Sequence, residues 1–291
     1  VGSEMCIRDR NRAMRIINTF DKIPGCFKNS AFDLDAWRVY ARAISPELGE
    51  KCERDSREYD FNNDVLPVVN NVLLNRDAAI AANDSFVAVT DKLAENIGRL
   101  FENGVETDII LYLGLCNGAG WATSLDGRDA VLLGIEKIIE LNWQDESAMQ
   151  ALIFHEIGHI WHKTYGNLYP EARSEGENSL AQLYQEGLAM ACEHILCQDD
   201  RYYHQNQNGW LDWCKENEAE IKREYLRRVD KNISTQDFFG DWCSYKNHSD
   251  VGYYLGCEFV KYLQRQYSLV DIASLNVNQL YNHFKEFASA E

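Results

Sequence analysis

Residues 147–165 most strongly constrain the fold of this 291-residue chain. Their apolar side chains recur at the spacing of an α-helix, and no proline or β-branched run interrupts them. Ser147 and Gln150 fit a capping box at the start, and Gly166 is a favoured residue after the last helical turn. The segment therefore predicts a helix of ordinary length, with one apolar face. That face is formed by Met149, Leu152, Ile153, Ile157, Ile160 and Trp161.

The same helix carries His155, Glu156 and His159 in the pattern His-Glu-x-x-His. Helical residues four apart share a face, with Cβ atoms roughly 5–6 Å from each other, so both imidazoles can reach one metal ion. Zinc binds neutral imidazole at about 2.0–2.1 Å and lowers the pKa of its bound water towards about 7, while an adjacent carboxylate takes the proton. A buried structural histidine pair is the alternative, but it needs no neighbouring glutamate. The motif predicts a zinc site with Glu156 as general base.

A catalytic zinc site needs a third protein ligand and an open fourth position for water. Glu186 is the best candidate, because residues 179–194 have a helical apolar pattern, with a second capping box at Ser179, and Gly187 would let a neighbouring helix approach closely. The alternative is that Glu186 is one of the many acidic residues of a solvated face. His162 lies about one helical turn too far for direct ligation, so we expect it in the pocket wall.

Two other features of this region decide between classes of zinc site. The position six residues after His159, where metzincins carry a third histidine, is Tyr165. The metzincin arrangement is therefore disfavoured. By contrast, residues 185–189, Gln-Glu-Gly-Leu-Ala, resemble the glutamate-bearing second helix of the gluzincin zinc peptidases and of predicted bacterial zinc proteases. The resemblance implies that one Zn²⁺ is bound by His155, His159 and Glu186, with Glu156 as general base.

A third segment, residues 250–263, resembles the gluzincin helix that places a tyrosine three residues before a glycine. In this chain that tyrosine is Tyr253, and the resemblance implies that its hydroxyl supports the oxyanion of the tetrahedral intermediate. Tyr254 or His248 could serve the same purpose. The alternative for any of the 15 tyrosines is simple packing in the core.

The chain departs from the aminopeptidase subgroup ahead of the metal helix. Those enzymes carry a Gly-x-Met-Glu-Asn strand whose glutamate binds the substrate amine, whereas this chain has Gly118, Ala119, Gly120 and Trp121. Capture of an N-terminal amine is therefore unsupported, and the choice between endopeptidase and aminopeptidase stays open. The backbone of Gly118, Ala119 and Gly120 could still pair with an extended peptide, or the segment could be a simple turn.

The fold class expected is α+β and helix-dominant, and it is zincin-like by resemblance. Residues 14–105 have a mainly helical pattern, and residues 108–115 and 130–135 are short apolar runs typical of strands. A small β-sheet would thus precede the metal helix, with a helical part at the C-terminal end. We expect residues 106–291 to form the catalytic core, in one compact unit with 14–105. Residues 1–13 resemble an adapter-derived leader that is not native protein.

Composition limits the partners. The net charge of −17 disfavours nucleic acid and anionic membranes, and no apolar run is long enough to span a bilayer. The nine cysteines form no Cys-x-x-Cys pair, which favours reduced thiols and a cytoplasmic location. The sequence predicts a zinc metallopeptidase that acts on peptides or proteins. The alternatives are a non-catalytic, zinc-stabilised peptide-binding module and a zinc hydrolase of a non-peptide amide or ester.

Overall fold

The computed structural model describes residues 14–102 and 104–290. The predicted leader, residues 1–13, lies outside the described residues. The chain is helix-dominant with a small mixed sheet, which confirms the α+β class. It divides into two compact units, one ending at Glu156 and the other beginning at Ile157.

The first unit contains a four-stranded sheet in the order β1-β2-β4-β3. Strands β1 and β4 run parallel to β2, and β3 runs antiparallel to β4. Strand β2 is buried along its whole length, as expected for an apolar strand inside a partly parallel sheet. Strand β3 forms one edge. The bounds are Met14–Asn18 for β1, Thr107–Tyr112 for β2, Gly120–Leu125 for β3 and Arg128–Gly134 for β4.

The predicted strands at 108–115 and 130–135 are confirmed as β2 and β4. Strand β1 corrects the expectation that residues 14–105 are mainly helical from the start, because five residues of this region pair with β2. A short hairpin, Phe27–Lys28 with Ala31–Phe32, also lies there. Hydrophobic periodicity does not reveal these strands, because each is short and forms only by pairing with another segment of the chain.

The first unit also contains helices, and one of the longer ones begins at a side-chain cap. At α1 the Asp33 carboxylate accepts from Ala36 N at 2.7 Å, which satisfies a free backbone donor of the first turn. The helices are α1 (Leu34–Ile44), α2 (Leu48–Asp55), α3 (Leu66–Leu74), α4 (Arg76–Thr90), α5 (Leu93–Asn96) and α6 (Ile135–Glu140). A π-helical turn, Phe61–Val65, precedes α3, and 3-10 turns occur at Phe20–Cys26, Ser56–Glu58 and Ile97–Arg99.

Helix α7, Glu146–Tyr165, is the predicted metal helix and confirms the expected segment. Its start differs from the predicted capping box at Ser147, since Asp145 accepts from Ala148 N at 3.0 Å. Aspartate caps a helix as well as serine does, and Asp145 comes first in the chain. At the other end Gly166 N donates to His162 O at 2.9 Å, and a side chain at 166 would collide with the backbone of Ala273.

The second unit is helical. Helix α8 packs along α11, and at their crossing a Cβ on Gly256 would lie 2.6 Å from Leu183 O, while one on Gly187 would collide with Gly256 O. The predicted close approach at Gly187 is therefore confirmed. Ser174 caps α8 through Glu177 N, so the capping box predicted at Ser179 was wrong. The helices are α8 (Glu175–Cys197), α9 (Trp210–Glu216), α10 (Glu218–Lys231), α11 (Val251–Leu263), α12 (Leu269–Ala273) and α13 (Val277–Ser289), with a 3-10 turn at Gln236–Phe238.

The described part of the chain has no helix long and apolar enough to cross a membrane. Its eight cysteines are all free thiols, in agreement with the reduced state predicted from their spacing. Burial raises the pKa of the Cys26 thiol to about 12, which is typical of packed thiols with little thiolate character.

Candidate metal centre

Three side chains converge on one point of the structure. His155 and His159 share one face of α7, and α8 supplies Glu186. One ligand atom from each lies within 4.8 Å of the others. His159 Nε2 and Glu186 Oε2 are 3.5 Å apart, close to the separation of about 3.4 Å for two ligands of a tetrahedral ion with bonds of about 2.1 Å. The group could therefore hold a metal ion, and its two nitrogens and one carboxylate oxygen are a donor set suited to zinc.

The three side chains differ in burial in a way that matters for chemistry. His155 is 7% exposed. The side chains of His159 and Glu186 keep 15% and 18% exposure. Structural zinc sites are closed by four protein ligands, whereas catalytic sites keep one position for water or substrate. One buried and two partly exposed ligands therefore fit the open kind of site.

Gly158 allows the close approach of α7 and α8, the helices that carry His159 and Glu186. A Cβ on Gly158 would lie 2.9 Å from Ala189 Cα and 2.9 Å from Cys192 Cβ. Such distances are shorter than ordinary carbon contacts, so only glycine permits this crossing. The sequence contained no signal for this role, because Gly158 occupies a free position of the His-Glu-x-x-His motif.

The Glu156 carboxylate lies against the edge strand of the first unit. Its Oε2 accepts from Ala122 N at 2.7 Å. A Cβ on Gly120 would lie 2.8 Å from Glu156 Cγ, and a glycine at that position leaves the space that the carboxylate occupies. The sequence predicted that the backbone of Gly120 could bind substrate, but it gave no indication of a role for Ala122. The structure shows that both residues determine where the Glu156 carboxylate lies.

The loop between β2 and β3 is held by buried side chains. The Glu136 carboxylate accepts from Gly114 N at 2.8 Å and from Cys116 N at 3.2 Å. Trp37 Nε1 donates to Leu113 O at 2.9 Å. Complete burial raises the pKa of Glu136 to about 7, against the opposing effect of those two amides. This loop sets the start of β3, and therefore the position of the edge that Glu156 touches.

The predicted substrate-binding backbone forms the end of this loop. Gly118 has a φ of +118°, which favours glycine, and Ala119 is buried with its carbonyl accepting from Gly134 N at 3.0 Å. Gly120 opens the edge strand. Gly118 therefore makes a turn, and Gly120 begins the edge strand, where pairing with a peptide stays a prediction.

Four further predicted residues lie in the second unit. Tyr253 is half-buried on α11, with its ring 5.7 Å from that of Phe239. Tyr254 is 1% exposed, and its hydroxyl donates to Glu218 at 2.7 Å. Two histidine rings pack on aromatic neighbours: His248 is stacked on Trp213 at 3.7 Å, and His162 lies edge-on to Tyr184 at 4.7 Å. Burial, with a smaller effect of His159, lowers the pKa of His162 to about 3, so this ring is neutral.

Searches of the chain against protein-family models, curated proteins and solved structures found no match in any of the three. The resemblance to gluzincins thus depends on the short motifs at His155–His159, 185–189 and 250–263.

Proposed function

We propose that the protein is a zinc-dependent peptidase with a zincin-like catalytic core. The observation that carries the proposal is the convergence of His155, His159 and Glu186 within 4.8 Å, beside a glutamate whose carboxylate lies at a strand edge. Two histidines and one carboxylate are the protein ligands of one well-known class of catalytic zinc site. The ion, when bound, would polarise the scissile carbonyl and increase the acidity of a water molecule.

Glu156 is the proton carrier in this proposal. It takes a proton from the attacking water as the water oxygen bonds to the carbonyl carbon. It then gives that proton to the amine nitrogen as the C–N bond breaks, so that protons balance over the cycle. The hydrogen bond from Ala122 N fixes the orientation of the carboxylate. A base that is already oriented needs less rearrangement to reach the transition state.

The edge strand β3 is the proposed substrate platform. An extended peptide can pair with the outward backbone groups of Gly120 and with the carbonyl of Ala122, whose N–H donates to Glu156. Tyr253 is the proposed hydroxyl donor to the oxyanion. Peptide bonds are preferred to other amides or esters because a strand edge that no other strand covers can recognise a peptide backbone as such.

The test compares wild type with Glu156→Gln, using zinc analysis and a mixed peptide library. We expect one zinc per chain in both proteins and a loss of cleavage of roughly 100- to 10,000-fold in the variant, the usual contribution of a general base. Glu146→Gln, an exposed change in the first turn of the same helix, is the matched control and should keep full activity.

Three outcomes separate the alternatives. Equal cleavage by Glu156→Gln contradicts the mechanism. Zinc without cleavage in wild type favours the peptide-binding module or a non-peptide substrate. Absence of zinc contradicts the metal centre itself.

A further inference from the structure

A second charged side chain besides Glu156 contacts the outer edge of β3. Ala122 N donates to Glu156, and Ser124 O accepts from Lys51 Nζ at 2.9 Å. Backbone groups of alternate residues point to the same side of a strand, so the Ala122 and Ser124 groups both face away from β4. Two residues of strand span about 6.6 Å. Lys51 therefore lies along the same edge as the proposed base, two residues farther on.

Lys51 has no carboxylate partner among the residues that the structure describes. Its ammonium has three donors. One of them is used on Ser124 O, and the charge lies 5.7 Å from the centre of the Trp121 ring. Five other cations of the first unit, by contrast, pair with carboxylates. These pairs are Arg15–Asp108, Lys28–Asp33, Arg38–Glu53, Arg128–Glu106 and Lys137–Glu140.

The strand edge is closed beyond this point. Glu47, next to the start of α2, accepts from Asp126 N at 3.2 Å with its side chain. A peptide that pairs with Gly120 and Ala122 therefore meets the Lys51 ammonium and cannot continue along the strand as a ladder. A carboxylate at this position would accept hydrogen bonds from the remaining N–H donors of the ammonium. Such hydrogen bonds are charge-assisted and therefore strong.

We propose that Lys51 is a specificity-determining residue that binds a carboxylate of the peptide substrate, two residues from the scissile bond. The inference rests on the proposed peptidase function and specifies its substrate class. The carboxylate can come from the peptide's C-terminus or from an aspartate or glutamate side chain. In either case a substrate with a neutral group at this position loses the interaction.

The test uses matched fluorogenic peptides cleaved by wild type, Lys51→Met and Lys51→Glu. In one pair, the C-terminus is a free acid in one peptide and an amide in the other. In two other pairs, one peptide has glutamate and the other glutamine, either two residues before or two residues after the cleaved bond. We expect wild type to prefer one of the acidic members by about tenfold in kcat/KM, a factor that corresponds to about 1.4 kcal/mol. The pair that shows the preference identifies the source of the carboxylate.

Lys51→Met should abolish that preference, so that kcat/KM becomes equal for the acidic and neutral members, and Lys51→Glu should reverse it. Lys92→Met, a change at an exposed lysine of the same unit, is the control and should keep the wild-type preference. Equal kcat/KM for acidic and neutral peptides in wild type overturns the inference while leaving the peptidase function intact. So does a preference that Lys51→Met retains, because Lys51 would then serve only to cover the strand edge.

A binding measurement keeps the inference testable if no peptide is cleaved. Calorimetry with the Glu156→Gln protein should give about tenfold tighter binding of an acidic peptide than of its neutral counterpart, and the further change Lys51→Met should remove the difference. Binding with this preference but without cleavage by wild type would support the Lys51 site and contradict the peptidase function. Equal binding of both peptides would overturn the Lys51 site.

Discussion

Glu136 is fully buried, whereas the group of His155, His159 and Glu186 is partly exposed, and the polar atoms of the two regions are arranged in different ways. The Glu136 carboxylate accepts two backbone amides, from Gly114 and Cys116. In the other region, ligand atoms from two helices approach one another to within 4.8 Å. The partners of the first group are backbone donors from within the fold.

This comparison separates structural polar groups from a binding site. The Glu136 carboxylate, with its amide partners, holds a loop in place. Two imidazoles and a carboxylate from two helices are directed at one point, where a single cation would bind a lone pair from each of them. The arrangement of partners, more than burial itself, is therefore the informative property of an ionisable group.

The largest effect should come from removing a ligand. His159→Ala should weaken zinc binding by roughly 100- to 1,000-fold, because it removes one of three protein ligands. Isothermal titration against a competing chelator measures this affinity. Glu136→Gln is the control and should bind zinc as wild type does. Unchanged affinity in His159→Ala would remove the distinction between the two regions.

The second prediction concerns pH and Glu136. The folded-state pKa of about 7 exceeds the ordinary value of 4.5, so the folded protein binds more protons between these values. The free energy of unfolding should therefore fall as pH rises from about 4.5 to about 7, and the contribution should level off above that. The Glu136 contribution amounts to roughly 3 kcal/mol at most.

Urea denaturation of wild type and Glu136→Gln at several pH values tests this sign. The difference in unfolding free energy, wild type minus variant, should decrease as pH rises through this window. Burial also raises the pKa of Asp250 to about 6, but Asp250 is present in both proteins and cancels from the difference. A difference that is constant with pH would show that Glu136 is ionised throughout.

A smaller effect is expected at the crossing of α7 and α8. Gly158→Ala should destabilise the protein by about 1–3 kcal/mol, the usual cost of overpacking, although alanine is ordinarily the better helix former. Thermal denaturation measures the change. Gly98→Ala is the matched control, since a Cβ there meets nothing within 4 Å. A Gly158→Ala protein as stable as wild type would show that the helices separate without cost.

The elements around the site could be predicted where periodicity was strong. The helix around His155 and the second helix around Glu186 are both long and apolar on one face, and each lies within a few residues of its expected bounds. Their first turns could not be located, because Asp145 and Ser174 compete with later polar residues for the cap. Periodicity locates a helix better than it locates the first residue of that helix.

Contacts between segments that are distant in the chain could not be predicted from the sequence. The chain from Gly120 to Leu125 has little apolar alternation, and pairing with β4 makes it a strand. Lys51 approaches Ser124 from 73 residues earlier. The Gly158 crossing depends on which face α8 presents. Such contacts arise from tertiary packing, on which local propensity carries no information.

The most direct test of the metal centre is the X-ray absorption spectrum of the zinc-loaded protein, with His155→Ala and Glu186→Gln beside it. We expect one zinc per chain with two imidazole nitrogens at about 2.0–2.1 Å, further oxygen ligands at about 2.0–2.2 Å and no sulfur. One imidazole should disappear from the spectrum in His155→Ala. A zinc–sulfur distance of about 2.3 Å, or a spectrum that neither substitution alters, would place the metal elsewhere and contradict the account.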